Sequence, residues 1–309
     1  MSLTVLRTAD AWYVVTPAGA AKIPTAAKTT AELLADRPAI TAASADTVPV
    51  ASLDLVSPVT APCRVVAQMT NFTSHVTDAG MDPRTVPLTF FRKTSGSISG
   101  PFDDVVKPAH VTLLDYEVEI GLVIGREIPV GSEITGPEEC VAGLVVTNDV
   151  SARDIQLPQT QFYEAKSYPT FTPAGPALVL LEADELKRFA DLRLRLSVNG
   201  TVRQNAVVGD DMIYRPLEAL RALARFQRLD PGDLVLTGTP AGTALSAPPK
   251  AVEKLAALLP PALKWKLFFK GQAKNPKYLA DGDVVEASVA TDDGALDLGT
   301  QRTVVRYRR

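Results

Sequence analysis

Leu113-Leu114-Asp115-Tyr116-Glu117-Val118-Glu119-Ile120-Gly121-Leu122-Val123-Ile124-Gly125 holds a conflict from which the rest of the chain can be read. Leu122 to Ile124 is an apolar run closed by glycine, the pattern of a buried strand. Such strands exclude charge, because an unpaired buried carboxylate costs several kcal/mol or takes up a proton. Glu117 and Glu119 nevertheless stand at its mouth. Side chains at i and i+2 of a strand share a face, so the two carboxylates lie about 7 Å apart on one side. Like charges held that close favour a cation between them.

A second apolar strand, Cys140-Val141-Ala142-Gly143-Leu144-Val145-Val146-Thr147, runs into Asn148-Asp149. Glu117, Glu119 and Asp149 then make a hard, all-oxygen set with no cysteine or clustered histidine beside it. Such a set suits Mg²⁺, Mn²⁺ or Ca²⁺ rather than zinc. The plainer alternative puts the glutamates on a solvated strand edge. Asp149 or Ser151 would then cap the helix that Val150 to Gln156 opens.

Outward from these strands, Arg64 to Met69 reads as a strand delivering Asn71 to Asp78 into a loop or helical turn. Ala177–Leu181, Leu192–Val198, Leu234–Leu236 and Val284–Val289 are further strand candidates, and Pro216–Arg228 is the clearest helix. At the start, Leu3–Arg7 and Ala11–Val15 read as two short strands. Thr29 caps a short helix over 29–36, with Glu32 in its first turn and Pro38 ending it. The Ala/Ser/Thr/Pro-rich stretch from Ala39 to Pro62 reads as a linker. The expectation is a small N-terminal domain over 1–58 and a strand-rich α+β domain over 59–309. Ser246 to Ala280, with two Pro-Pro pairs and Trp265-Lys266-Leu267-Phe268-Phe269-Lys270, reads as an insertion: a lid, a pocket wall or a dimer contact.

Composition narrows the function classes. Of 309 residues, 46% are hydrophobic and 22% charged, an ordinary globular balance. The net charge of −3 leaves no basic footprint for nucleic acid. The four arginines between Arg302 and Arg309 read as a solvated strand edge. Two cysteines argue against a disulfide framework. With no leader and no apolar run near the ~20 residues that span a bilayer, the expectation is a cytoplasmic protein that does not enter membranes.

His75 has Asp78 one helical turn on, so a carboxylate can orient the imidazole as a general base. The alternative is a surface histidine bonded to a neighbour. His110, with no partner in sight, reads as structural. Lys166 lies in an apolar, proline-bounded stretch, where a lone lysine is less easily taken for surface. Leu236 to Thr243 puts a Gly/Thr turn after a strand, suited to backbone contacts with an anion or simply a tight turn.

The segments Asn71–His75, Asp115-Tyr116-Glu117-Val118-Glu119, Asn148-Asp149-Val150-Ser151-Ala152-Arg153-Asp154, Lys166-Ser167 and Thr237–Gly242, in that order, resemble the fumarylacetoacetate hydrolase family over about residues 62 to 309. The resemblance implies a predominantly β, α+β fold, a mixed β-sandwich roll preceded by a small N-terminal α+β domain. It also implies a homodimer and a divalent cation, Mg²⁺ or Mn²⁺, held by Glu117, Glu119 and Asp149. His75 matches the family's base and Lys166 the lysine that steadies negative charge. Arg153, Gln156, Thr170 and Thr239 fall where the substrate is shaped or bound. Many members carry glutamate three residues after the histidine, whereas this chain has Asp78, one methylene shorter.

The implied reaction is hydrolysis of a carbon–carbon bond in a 1,3-dicarbonyl or 2,4-dioxo acid, a small oxo acid or diketone. The same scaffold also serves 2-hydroxy-dienoate isomerases and hydratases and 2-oxo acid decarboxylases. A metal-binding paralogue without catalysis is the remaining class, and the intact carboxylates and Lys166 count against it.

Overall fold

The acidic stretch lies at the centre of a large sheet in the computed structural model, which describes residues 2–43, 46–159, 162–245 and 259–308. The chain begins with β1 (Leu3–Arg7), β2 (Trp12–Thr16), β3 (Gly19–Lys22), α1 (Thr30–Ala35), α2 (Arg37–Ala42) and β4 (Thr47–Val48). Next come β5 (Val65–Gln68), α3 (Thr73–Asp78), β6 (Phe90–Lys93), β7 (Ile98–Ser99) and β8 (Val105–Lys107). The acidic stretch itself forms β9 (Leu114–Asp115) and β10 (Val118–Ile124), followed by β11 (Val141–Asn148), β12 (Ser151–Ala152) and α4 (Arg153–Gln159). Then follow β13 (Thr172–Pro173), β14 (Ala177–Leu180), α5 (Ala183–Leu186), β15 (Leu192–Val198), β16 (Thr201–Val207), α6 (Pro216–Ala224) and β17 (Leu234–Leu236). The chain closes on α7 (Pro261–Gln272), β18 (Val284–Thr291) and β19 (Asp297–Tyr307).

Ten strands form one sheet in the order β4-β3-β2-β1-β14-β11-β10-β17-β5-β6, and five form a second in the order β16-β15-β18-β19-β8. Every residue of β10 and β11 is buried. The reason is that both faces are covered. Ile120, Leu122 and Val146 pack with Leu194, Leu196 and Val289 of the second sheet. Val123 and Val145 pack on the other side with Leu33 and Ile40 of α1 and α2. A strand covered on both faces reads as a continuous apolar run. This is the α+β, predominantly β architecture the sequence implies.

Two local readings need correction. Thr29 and Glu32 do form a capping box at α1, but Pro38 does not end that helix against a linker. It sits in the first turn of α2, where its missing N–H costs nothing. The stretch from Ala39 whose composition reads as a linker holds the end of α2, β4 and a 3₁₀ turn over Val50–Ser52. The four strands before residue 59 extend the central sheet, with β1 antiparallel to β14 through Leu3↔Leu180 to Leu6↔Ala177.

Removing residues 1–58 therefore bares the β14 edge and the side chains of Leu178 and Leu180, each worth about 1.5–3 kcal/mol of burial. The shortened chain is expected to self-associate in sedimentation and to melt well below the full chain. No helix among the described residues is long and apolar enough to cross a membrane.

Candidate functional site

The β10–β11 ladder sets the carboxylates. Val118 pairs with Asn148 and Glu119 with Thr147. Beyond the ladder, Asp149 N–H donates to the Glu117 carbonyl at 2.8 Å, and Glu117 N–H donates to Asn148 Oδ1 at 2.9 Å. Ligand oxygens of Glu117, Glu119 and Asp149 all fall within 4.8 Å of one another. Their exposures of 5%, 2% and 1% rule out the solvated edge.

Three buried cations answer part of this charge. Lys166 Nζ bonds Glu117 Oε2 and, at 2.6 Å, Asp149 Oδ2. Lys93 Nζ bonds Asp149 Oδ1 and the Phe171 carbonyl, the latter at 2.8 Å. Arg153 bonds Glu117 through Nη2, Asp115 through Nε at 2.8 Å and Gln156 Oε1 through Nη1 at 2.8 Å.

Glu119 is different. Its hydrogen bond is the Gly238 N–H at 2.7 Å, with no cationic side chain bonded to it among the described residues. Gly238 gets that close because it has no side chain: its φ is +85°, and a Cβ there would meet Asn71 Cβ at 2.8 Å.

These contacts push the groups apart in acidity. Burial would raise Glu117, but Arg153 and Lys166 outweigh it and hold its carboxyl far below the usual range. Burial, then the neighbouring carboxylates of Asp149 and Glu117, push Glu119 well above it. Burial would lower Lys166, but Asp149 and Glu117 hold it up. Lys93, wholly enclosed, is lowered by burial despite Asp149. A buried carboxylate that faces two others, with no cationic side chain bonded to it among the described residues, is what a hard divalent ion satisfies. The all-oxygen donor set fits Mg²⁺ or Mn²⁺.

His75 reaches the same cavity on α3. Asp211 pins that helix, accepting from Ser74 N–H at 2.7 Å and from Ser74 Oγ at 2.6 Å. The expected pairing with Asp78 is not made. Asp78 ends α3 exposed to solvent, and His75 Nδ1 is enclosed with no hydrogen-bond partner among the described residues. Burial lowers the His75 pKa, partly offset by Glu117, so the neutral ring is favoured.

Of the residues matched to substrate binding, Arg153, Gln156 and Thr239 line the cavity. Thr239 Oγ1 donates to the Val118 carbonyl at 2.9 Å and accepts from Gln204 at 2.8 Å, which makes it a brace for β10. Thr170 does not line the cavity: at φ +73° its hydroxyl accepts the Val106 N–H at 2.7 Å and holds the β8 backbone. His110 bonds Tyr168 at the surface.

Three residues escaped the sequence reading. Lys93 had a signal: in a strand, Arg92 and Lys93 must point to opposite faces, so one of them turns inward. Asp115 carried none beyond its place before Glu117, yet it holds Arg153 and the N–H groups of Ala244 and Leu245. Gln68 lines the cavity with neither amide atom met by a described protein group. Leaving such a group unmet costs about 1–3 kcal/mol.

The cavity measures about 1020 Å³. Of the expected insertion, residues 246–258 lie outside the described residues. Its helix α7 forms a wall of the pocket through Lys264, Trp265, Leu267 and Phe268.

Residues 64–306 match the family model described as fumarylacetoacetate (FAA) hydrolase C-terminal. The chain is 34% identical over 264 residues to 2,4-didehydro-3-deoxy-L-rhamnonate hydrolase of Sphingomonas sp. (strain SKA58), covering 83% of this chain and 80% of that protein. It is 34% identical over 212 residues to a mitochondrial oxaloacetate tautomerase of Homo sapiens, covering 67% of this chain and 65% of that one. Among solved structures, a probable 2-hydroxyhepta-2,4-diene-1,7-dioate isomerase from Mycobacterium abscessus superposes with TM-score 0.76 at 30% identity over 100% of both chains. With the motif residues gathered at one buried site and four-fifths of the chain matched, the protein belongs to the fumarylacetoacetate hydrolase family.

Proposed function

We propose that the chain is a divalent-cation-dependent enzyme that hydrolyses a carbon–carbon bond in a 2,4-dioxo acid of the acylpyruvate type. The observation that carries this reading is Glu119, a buried carboxylate beside Glu117 and Asp149 with no cationic side chain bonded to it among the described residues, at the floor of a substrate-sized cavity. Mg²⁺ or Mn²⁺ held by these three residues would supply Lewis-acid polarisation of the substrate's oxo group.

The chain's own residues do the rest. Neutral His75 takes a proton from the water that adds to the C4 carbonyl. The C3–C4 bond then breaks, its electron pair passing to C3 as an enolate, and the acyl half leaves as a carboxylic acid. The proton held by His75 returns to C3, completing pyruvate. Lys166 keeps a positive charge at the edge of this space, where negative charge develops.

A second reading, keto–enol tautomerisation or isomerisation of a 2-oxo acid, has its own support. Among the described residues no carboxylate bonds His75 Nδ1 to orient the ring towards water, and a lone base suffices to move a proton between carbon and oxygen. The relatives' names include both kinds of activity.

Product identity separates the readings when the protein with Mg²⁺ is given acetylpyruvate, enol-oxaloacetate and a 2-hydroxy-dienoate. His75→Ala is expected to lower acetylpyruvate cleavage by about 10²–10⁴-fold with Mg²⁺ affinity unchanged. Cleavage undiminished in that variant removes His75 as the hydrolytic base. Proton exchange without cleavage selects the second reading.

A further inference from the structure

The cavity changes character along its length. Its floor is ionic, but Lys166 Nζ lies only 5.3 Å from the centroid of the Phe91 ring. Phe91 in turn packs edge-on against Phe162 at 5.4 Å. Charge thus gives way to an aromatic wall within one side chain of the site. Met81 lines the same space, and α7 adds Trp265, Leu267 and Phe268. The α7 aromatics brace one another, Trp265 stacking on Phe269 at 5.5 Å and meeting Phe268 edge-on at 5.8 Å.

A volume of about 1020 Å³ far exceeds the needs of a three-carbon oxo-acid head. The charged groups that would hold such a head gather around Glu117, Glu119 and Asp149, while α7 adds the polar side chains of Lys264 and Gln272, the latter's Oε1 accepting from the Tyr278 hydroxyl at 2.9 Å. Of the cations lining the cavity, Arg153 and Lys166 are bonded to carboxylates. Lys264 is exposed at the rim of α7, free to extend its ammonium into water.

We propose that this wall binds a bulky apolar tail, so that the substrate is a 2,4-dioxo acid whose acyl end is an alkyl chain or aromatic ring of roughly six carbons or more. The inference rests on reading the site as one for 2-oxo acids. A charged or polyhydroxylated tail would set its polar groups against Phe91, Phe162, Trp265 and Phe268 and lose its hydration there. An apolar tail gains up to about fourfold in affinity for each methylene removed from water.

Calorimetry with 2-oxobutanoate, 2-oxohexanoate and 2-oxooctanoate, in the presence of Mg²⁺, reads tail affinity on compounds that have no dicarbonyl bond to cleave. The longest is expected to bind at least about tenfold more tightly than the shortest. Phe268→Ser is expected to cut that ratio to less than about threefold. Equal affinities across the series overturn the proposal. Tighter binding of 2-oxooctanedioate than of 2-oxooctanoate also overturns it, because selection would then lie with Lys264.

Turnover of the matching acylpyruvates is scored separately. Length-dependent binding without turnover keeps the tail site and overturns the reaction. Cleavage of acetylpyruvate with no gain on lengthening does the reverse. Binding of none of the series overturns both.

Discussion

Replacing Arg153 with methionine is expected to cost the fold about 3–5 kcal/mol, the range for removing one partner of a buried ion pair. In a chain of this size that is a fall of about 5–10 °C in the melting midpoint. Arg153 is 3% exposed and meets two buried carboxylates, Asp115 and Glu117. Methionine matches its reach but leaves both short of a partner. The damage extends further through Asp115, whose oxygens also hold the N–H groups of Ala244 and Leu245 after β17. A loss below about 1 kcal/mol, as for an exposed pair, would contradict the burial assigned here.

The opposite sign is expected at Glu119. Glu119→Gln leaves an oxygen to accept the Gly238 N–H but removes a carboxyl group whose ionised form burial, Asp149 and Glu117 all disfavour. Four carboxylates, Asp115, Glu117, Glu119 and Asp149, meet three cations, Lys93, Lys166 and Arg153. In their ordinary ionisation states one negative charge stands uncompensated. The metal-free variant is therefore expected to melt at or above the temperature of the metal-free parent.

Its affinity for divalent cations is expected to fall at least about 100-fold, because even residues behind a metal ligand cost 10–100-fold when changed. A carboxylate kept for the fold would give the reverse pattern, a lower melting point and unaltered ion binding. With a divalent ion bound, the cluster carries one net positive charge, suited to the carboxylate of an oxo acid. That balance links the packing of β10 and β11 to the choice of substrate.

The central strands were legible because burial on both faces writes itself as uninterrupted valine, leucine and isoleucine. Glu117, Glu119 and Asp149 stood out against that background. The capping box of Thr29 and Glu32 was readable for a local reason, since both partners lie within one turn.

What escaped depended on distance in sequence or on reach. The pairing of Leu3 with Leu180 joins residues that no local pattern connects. Lys93 finds Asp149 only once β6 lies against β5 in register, Lys93 opposite Val65. Asp78 has the spacing for His75, but it ends α3 exposed to solvent while His75 Nδ1 is enclosed, a difference in burial that a one-letter pattern does not show. Thr170 was placed by motif alone, and a positive φ turns its hydroxyl to the backbone of β8.

Glu117, Glu119 and Asp149 together are proposed as a divalent-cation centre. Calorimetric titration of Mn²⁺ into chelator-stripped protein, run beside Glu119→Gln, tests it most directly. One ion is expected to bind per chain in the parent, with affinity at least about 100-fold weaker in the variant. Absence of saturable binding in the parent, or equal binding in the two proteins, would contradict it.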